Sequence, residues 1–202
     1  MASSPVDPPL LAVRQAVALA LAEDWLPLGD LTASLVDVSR TTTTAVVARA
    51  SGVVAGRLCA LEAFHQVDSG VEVDWHAPDG TAVAPGSVVA HVRGPLRSVL
   101  TAERTALNFL CHLSGVASAT RRVVDAVAAA NPSTRVVDTR KTIPGLRALQ
   151  KAAVRAGGGA EPSRVAVRRR LAEGQPPRRP ADRRRGRTGT CAVPHADGRS
   201  RV

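Results

Sequence analysis

The sequence predicts an α+β fold: a mixed half of short strands and helices, then the opening of a parallel α/β unit. Three observations lead there. The first hundred residues alternate short β-branched or apolar runs with helical ones; a long helical stretch follows from Leu96; and after it come a strand, a loop and a helix, in that order. Past Gly159 no strand-helix pattern continues and Arg, Pro and Gly take over the composition.

Asp7-Pro8-Pro9 suits a helix start, because proline fits a first turn whose N–H groups lack partners anyway. Leu10, Val13, Val17 and Leu21 recur at helical spacing, so 9–23 reads as an amphipathic helix. Pro27 and Gly29 in "EDWLPLGDLT" end it. "TTTTAVVARA" is β-branched and extended, "SGVVAG" is a short apolar run between glycines, and a helical pattern covers 58–67. "VEVDWH" and "SVVAHVRG" are strands on either side of a "PDG" turn. "LRSVLTAERTALNFLCHLSG" then sets Leu100, Leu107, Leu110 and Leu113 near one helical face, and Gly115 reads as a break. "VASATRRVVDAVAAA" is a second helix, ended by Asn131-Pro132. "TRVVD" is a strand, "TRKTIPG" a loop, and "LRALQKAAVRA" a helix closed by Gly157. That order is how a parallel α/β unit or barrel begins. The remainder has no Phe, Trp or Tyr and little apolar periodicity, so it cannot offset its ordering entropy and is expected to be disordered.

The formal charge of +10 points to nucleic acid until it is located. Residues 160–202 carry 12 Arg against 4 Asp or Glu, which leaves 15 basic and 13 acidic side chains in 1–159. The body is nearly neutral, and an isoelectric argument about the whole chain misleads. Cys59, Cys111 and Cys191 are odd in number and far apart, neither a disulfide framework nor metal-ligand spacing. No apolar run reaches membrane-spanning length and no basic segment precedes an apolar one at the N-terminus, so the expected location is cytoplasmic.

The chemistry concentrates in "DTRKTIPGLRALQKAAVRAGGG", Asp138 to Gly159. Arg140 and Lys141 follow a strand end, where parallel α/β architectures bind ligands. A guanidinium fork beside a compact ammonium suits a multiply charged anion, although two basic loop residues are more often simply solvated. Arg147, Lys151 and Arg155 lie four apart and form a basic helical stripe, with a solvated face as the bland reading. His112 reads as a packed helix residue, and His65, His76 and His91 show no ligand spacing.

With "VVDTRKTIPGLRALQKAAVRAGGG", "LTAERTALNFLCHLSGVASATRRVVDAV" at 100–127, "AEDWLPLGDLT" at 22–32 and "SGVVAG" at 51–56, the chain resembles the quinolinate phosphoribosyltransferases over residues 8–159. These enzymes are also called nicotinate-nucleotide pyrophosphorylases (carboxylating). The resemblance implies an N-terminal α/β sandwich over 1–112, the beginning of an incomplete α/β barrel over 113–159, and a disordered basic tail over 160–202. It implies a homodimer. The reaction implied is attack of the quinolinate ring nitrogen on the anomeric carbon of phosphoribosyl pyrophosphate, with loss of pyrophosphate and CO2 to give nicotinate mononucleotide. Mg2+ is expected with the pyrophosphate, bridging its oxygens, and no protein metal site is expected. Thr139, Arg140 and Lys141 fall on the substrate-binding loop, with Lys141 the catalytic cation. Arg104 in "AERTALN" matches an arginine that reaches quinolinate in the neighbouring subunit; without the resemblance it reads as a surface partner of Glu103 or Asp125. Lys151 is assigned to the substrate site, and Arg147 and Arg155 to the solvated face.

The family continues after its glycines with Asn-His-Arg and then Lys-Asp-Asn-His, and this chain has neither. A one-base shift permits Asn-His-Arg at Glu161-Pro162-Ser163 and Lys-Asp-Asn-His at Glu173-Gly174-Gln175-Pro176, at the family's own spacing, although Val165 and Ala172 fit poorly. The sequence is therefore expected to be out of frame from about residue 160, and the chain alone to be inactive. Two other readings stand beside this one. One is a same-fold homologue acting on another substrate. The other is a nucleic-acid-binding protein using its basic tail, disfavoured because that tail has no aromatic residues to stack on bases.

Overall fold

The computed structural model describes residues 7–25 and 29–162. Apart from 160–162, the tail expected to be disordered lies outside the described residues. The description below concerns the compact unit 1–166.

Helix α1, Leu10–Trp25, buries Val13, Val17 and Leu21, the stripe that four-residue spacing puts on one face. Leu10, expected on that stripe, is 49% exposed because it opens the helix. A short α2, Leu31–Ser34, follows. It is entered through Asp30, whose carboxylate accepts from the Ala33 N–H at 2.9 Å as an N-cap.

Strands β1 (Thr41–Val47), β3 (Glu72–Trp75) and β5 (Val88–Pro95) form an antiparallel sheet with β5 in the middle. The β1–β5 register slips at Val46/Val47, and opposite it Val89 and Ala90 are both buried in sequence. A bulge breaks strict alternation in this way. A second ribbon pairs β2, Gly52–Val53, with β4, Ala82–Val83. β4 was not expected from the sequence, since two residues carry no period.

Helix α3, Arg57–Val67, is capped from a distance: the Asp79 carboxylate accepts from Gly56 N and Arg57 N, each at 3.1 Å. α3 and α1 pack with helix α4, Leu96–Ala130, into one core that includes Val13, Val17, Cys59, Phe64, Phe109 and Leu113.

The expected break at Gly115 is not there. α4 runs 35 residues straight through it. Leu113 and Ala117 are buried on either side, and the Ser114 and Ser118 hydroxyls accept from Ala55 N and Val53 N at 3.0 and 2.8 Å. A mid-helix glycine costs about 1 kcal/mol against alanine, which anchoring on both sides exceeds. The buried stripe is Val99, Ala102, Ala106, Phe109, Leu110, Leu113 and Ala117; Leu100, expected within it, is 37% exposed.

After α4 the expected strand "TRVVD" contracts to a parallel bridge between Val137 and Ala160. Asp138 N donates to Ala160 O and Ala160 N to Val136 O, both at 2.9 Å. A strand exists by its neighbours, and among the described residues only this one partner is present. Helix α5, Arg147–Ala156, buries Leu149, Ala152, Ala153 and Ala156 and packs on α4. Its C-cap is Gly157 as expected, but with a right-handed φ of −72°; the left-handed residue is Gly158, at φ +92°. Gly157 serves close approach instead: a Cβ there would lie 2.4 Å from the Ala117 carbonyl oxygen of α4.

Candidate active site

The loop between the Val137 bridge and α5 presents Thr139, Arg140 and Lys141 together, all exposed. Its conformation is fixed locally by a threonine turn, in which Lys141 N donates to Thr139 Oγ1 at 3.1 Å. It is also stitched to α5. Arg147 donates through Nη2 to the Arg140 carbonyl and through Nε to Thr142 Oγ1, both at 3.3 Å. Ile143 N donates to Gln150 Oε1 at 3.0 Å, and Gln150 Nε2 meets His112 Nε2 at 3.1 Å. Arg147, assigned above to the solvated face, therefore holds the loop that bears the paired cations. Arg155, assigned there too, is half-buried and donates to the Asp7 carbonyl at 3.3 Å. Arg147 is exposed, as assigned, while also bonding the loop; Arg155 alone departs from the solvated face, because the chain packing beside the stripe was not legible in its spacing. His112 is half-buried, bonded to Gln150, as a packed helix residue would be.

Lys151 stands apart from the loop cations. Its Nζ lies 2.9 Å from Asp138 Oδ1 and 3.6 Å from Glu161 Oε1. The Asp138 side chain is 2% exposed and that of Lys151 18%. The structure thus brings Lys151 to the base of the anion loop with its charge already engaged by two carboxylates.

Arg104 lies on α4, well separated in sequence from the loop. Its partner is neither Glu103 nor Asp125 but Asp24, near the end of α1, at 2.7 Å. That hydrogen bond and the Asp24 charge hold the guanidinium still more firmly protonated. The pair borders a cavity of about 570 Å³ that Asp30, Glu103 and Asn108 also line. A neighbouring cavity of about 320 Å³ shares Asp24 and Asn108 and adds His112 and Leu146. Asp24 was missed in the sequence because it sits 80 residues from Arg104. The motif "AEDWLPLGDLT" marked its segment without giving its partner.

Other reactive groups lie elsewhere. Burial, with Asp79 and Glu62 nearby, pushes the Cys59 thiol up to about 12, so it is no nucleophile. His76 Nε2 and His91 Nδ1 approach to 2.7 Å on the sheet, a pairing that sequence spacing did not suggest. Among the described residues no group of three or more His, Cys, Asp or Glu is placed to hold a metal ion.

Comparison with known proteins bears on the whole arrangement. The sequence profile described as quinolinate phosphoribosyl transferase, N-terminal domain, matches residues 30–114, and that of the C-terminal domain matches 116–172. The likeness thus continues past Gly159, where the residue-by-residue reading ended it. The nicotinate-nucleotide pyrophosphorylase [carboxylating] of Mycobacterium leprae is 43% identical over 152 residues, 73% of this chain and 52% of that protein. A probable nicotinate-nucleotide pyrophosphorylase of Bacillus subtilis is 39% identical over 131 residues, 65% of this chain and 45% of that protein. Among solved structures, the nicotinate-nucleotide pyrophosphorylase of Francisella tularensis superposes with a TM-score of 0.72 at 37% identity, covering 80% of this chain and 57% of that one. NadC from Streptococcus pyogenes gives a TM-score of 0.72 at 30% identity, covering 85% and 67%. The chain spans about half the length of the curated relatives it matches. These neighbours share its α+β architecture of an N-terminal sandwich and the start of a barrel. With both profiles of one family running in register from residue 30 to 172, the chain belongs to the quinolinate phosphoribosyltransferase family.

Proposed function

We propose that the protein this sequence encodes transfers a phosphoribosyl group to quinolinate, giving nicotinate mononucleotide, pyrophosphate and CO2 on the route to NAD. One observation carries the reading. Arg140 and Lys141 are exposed side by side on a loop directly after the Asp138 strand end, and α5 fixes that loop from behind. Both substrates are polyanions, and two preplaced cations cost no reorganisation when charge develops on the departing pyrophosphate. Lys141 is the cation for that charge; Arg140 and Thr139 bind substrate beside it. Arg104 contributes to a quinolinate site in a homodimer, which its exposed position on α4 allows. Lys151, engaged by Asp138 and Glu161, does not join this set.

Mg2+ would arrive bound to phosphoribosyl pyrophosphate, where it neutralises oxygens of the leaving group, and no step is assigned to it. No helix among the described residues is long and apolar enough to cross a membrane, in keeping with a cytoplasmic enzyme. The described residues hold a single strand–loop–helix unit and the residue that pairs with it. A protein of full family length that carries these residues is expected to release pyrophosphate when quinolinate is supplied.

Titration calorimetry with quinolinate on a full-length protein carrying these residues is the direct test. Arg140→Ala with Lys141→Ala should weaken binding by about a hundredfold, since removing a charge-assisted contact costs roughly 1.5–3 kcal/mol. Unchanged affinity would remove the reading.

A further inference from the structure

We propose that Lys151 is a positioning residue: its ammonium neutralises the buried Asp138 carboxylate and thereby fixes the loop that carries Arg140 and Lys141. The proposal deepens the reading above and rests on it, because the loop is taken to be the anion-binding element.

Asp138 is the group that needs a counter-charge. Its side chain is 2% exposed, and a carboxylate so enclosed is tolerated only with a counter-charge or hydrogen bonds. Lys151 Nζ supplies the counter-charge to Oδ1 at 2.9 Å, while Oδ2 has no hydrogen-bond partner among the described residues. The backbone of Asp138 is held as well, its N–H donating to Ala160 O at 2.9 Å. The residue is therefore pinned at both main chain and side chain, and Thr139, Arg140 and Lys141 follow it directly.

Lys151 also occupies the right place on α5. Arg147, one turn earlier, holds the Arg140 carbonyl and Thr142 Oγ1; Gln150, the preceding residue, holds Ile143 N. Lys151 extends that row to the first residue of the segment. One face of one helix thus grips the chain at Asp138, Arg140, Thr142 and Ile143. Take Lys151 away, and a buried carboxylate loses its paired oxygen with the other already unmet. The relief open to it is rotation toward water, which drags the loop with it.

Charge decides against direct anion contact. The Lys151 ammonium is committed to Asp138 at 2.9 Å and to Glu161 at 3.6 Å, so a phosphate or a pyridine dicarboxylate would have to displace a carboxylate to reach it. The exposed cations free to meet an anion from this loop are Arg140 and Lys141.

The experiment uses the 202-residue chain and inorganic pyrophosphate as the probe. Amide hydrogen exchange over Thr139–Ile143 and pyrophosphate affinity are measured for wild type, Lys151→Met, Lys151→Arg and the pair Asp138→Asn with Lys151→Met. Lys151→Met should speed loop exchange about tenfold or more, because it strands a buried charge, and should weaken pyrophosphate binding. Lys151→Arg should retain both properties. The paired variant should recover both, although it has no cation at 151, because the charge needing neutralisation has gone with its partner. Should Lys151→Met fail to fold while the paired variant folds with a protected loop, the same conclusion follows. Loop exchange unchanged in Lys151→Met, or a paired variant no better protected than the single one, overturns the proposal. A wild-type chain that does not bind pyrophosphate, or binds it equally well as Arg140→Ala with Lys141→Ala, defeats the anion-loop reading instead. The exchange comparison then still decides whether Lys151 fixes the loop.

Discussion

Asp79 shows how one side chain can stabilise a structure while its own charge is disfavoured. Burial lifts its pKa above the ordinary carboxylate value, and the hydrogen bonds from Arg57 N and Gly56 N only partly oppose that. The sign follows directly. A carboxyl raised in the folded state binds its proton more readily there than in the unfolded chain, so stability falls as pH rises from the ordinary value through the raised one. Asp79→Asn keeps an acceptor oxygen and discards the charge. Because only one of the two accepting oxygens remains, denaturant unfolding should find its stability relative to wild type higher at pH 7 than at pH 4 rather than raised outright. Asp79→Ala loses the cap of α3 and should be destabilised by about 1 kcal/mol at both. An Asp79→Asn protein that is weaker at pH 7 than at pH 4, relative to wild type, contradicts this account. Arg104 and Lys151 teach a related lesson about cations. Both were singled out from sequence, and both bear carboxylate partners that change what their charge can do.

At the scale of elements, the contact between α4 and the end of α5 decides the geometry of the barrel's opening. Gly157 meets the Ala117 carbonyl and the Thr120 side chain, and its own carbonyl accepts from Arg121 Nε at 3.1 Å. Neither neighbour is the loose end of a long side chain, so the backbone has to move if a methyl group is added. Gly157→Ala should therefore lower stability by roughly 1–3 kcal/mol, the range for overpacking, read as a shift in denaturation midpoint. An alanine variant of equal stability would mean that the helices are free to slide apart. Each of the three glycines after α5 has its own reason: Gly157 permits close packing, Gly158 turns the chain at positive φ toward Ala160 and its bridge to Val137, and at Gly159 a Cβ would crowd Val154 and Thr120.

Across the whole molecule the stability is uneven. The core of α1, α3, α4 and α5 is continuous and apolar, whereas residues 131–135 are exposed and Val137 and Ile143 are each 47% exposed. Among the described residues the opening strand is secured by a single bridge, to Ala160. Native-state hydrogen exchange should find 131–146 opening well before the buried stretch of α4 from Val99 to Ala117, because local opening follows contact and burial. Equal protection of the two segments would show the opening strand to be as firmly held as the core. That exposure is also why poor solubility is expected of this half of the chain.

The sequence by itself determined the family, the order of the longer elements and the position of the paired cations, because helical period, β-branched runs, turn residues and a contiguous motif are all local; the short α2 and β4 carry too few residues to show a period. It overstated the strand at "TRVVD" and invented a break at Gly115, since both depend on neighbours that no short window contains. Only the tertiary structure decided that Asp24 faces Arg104 from 80 residues away, that Asp79 caps α3, and that Lys151 turns to Asp138. Those outcomes are set by burial, which makes a charge seek whichever opposite charge the packing brings within reach, and reach in space is not written in sequence spacing.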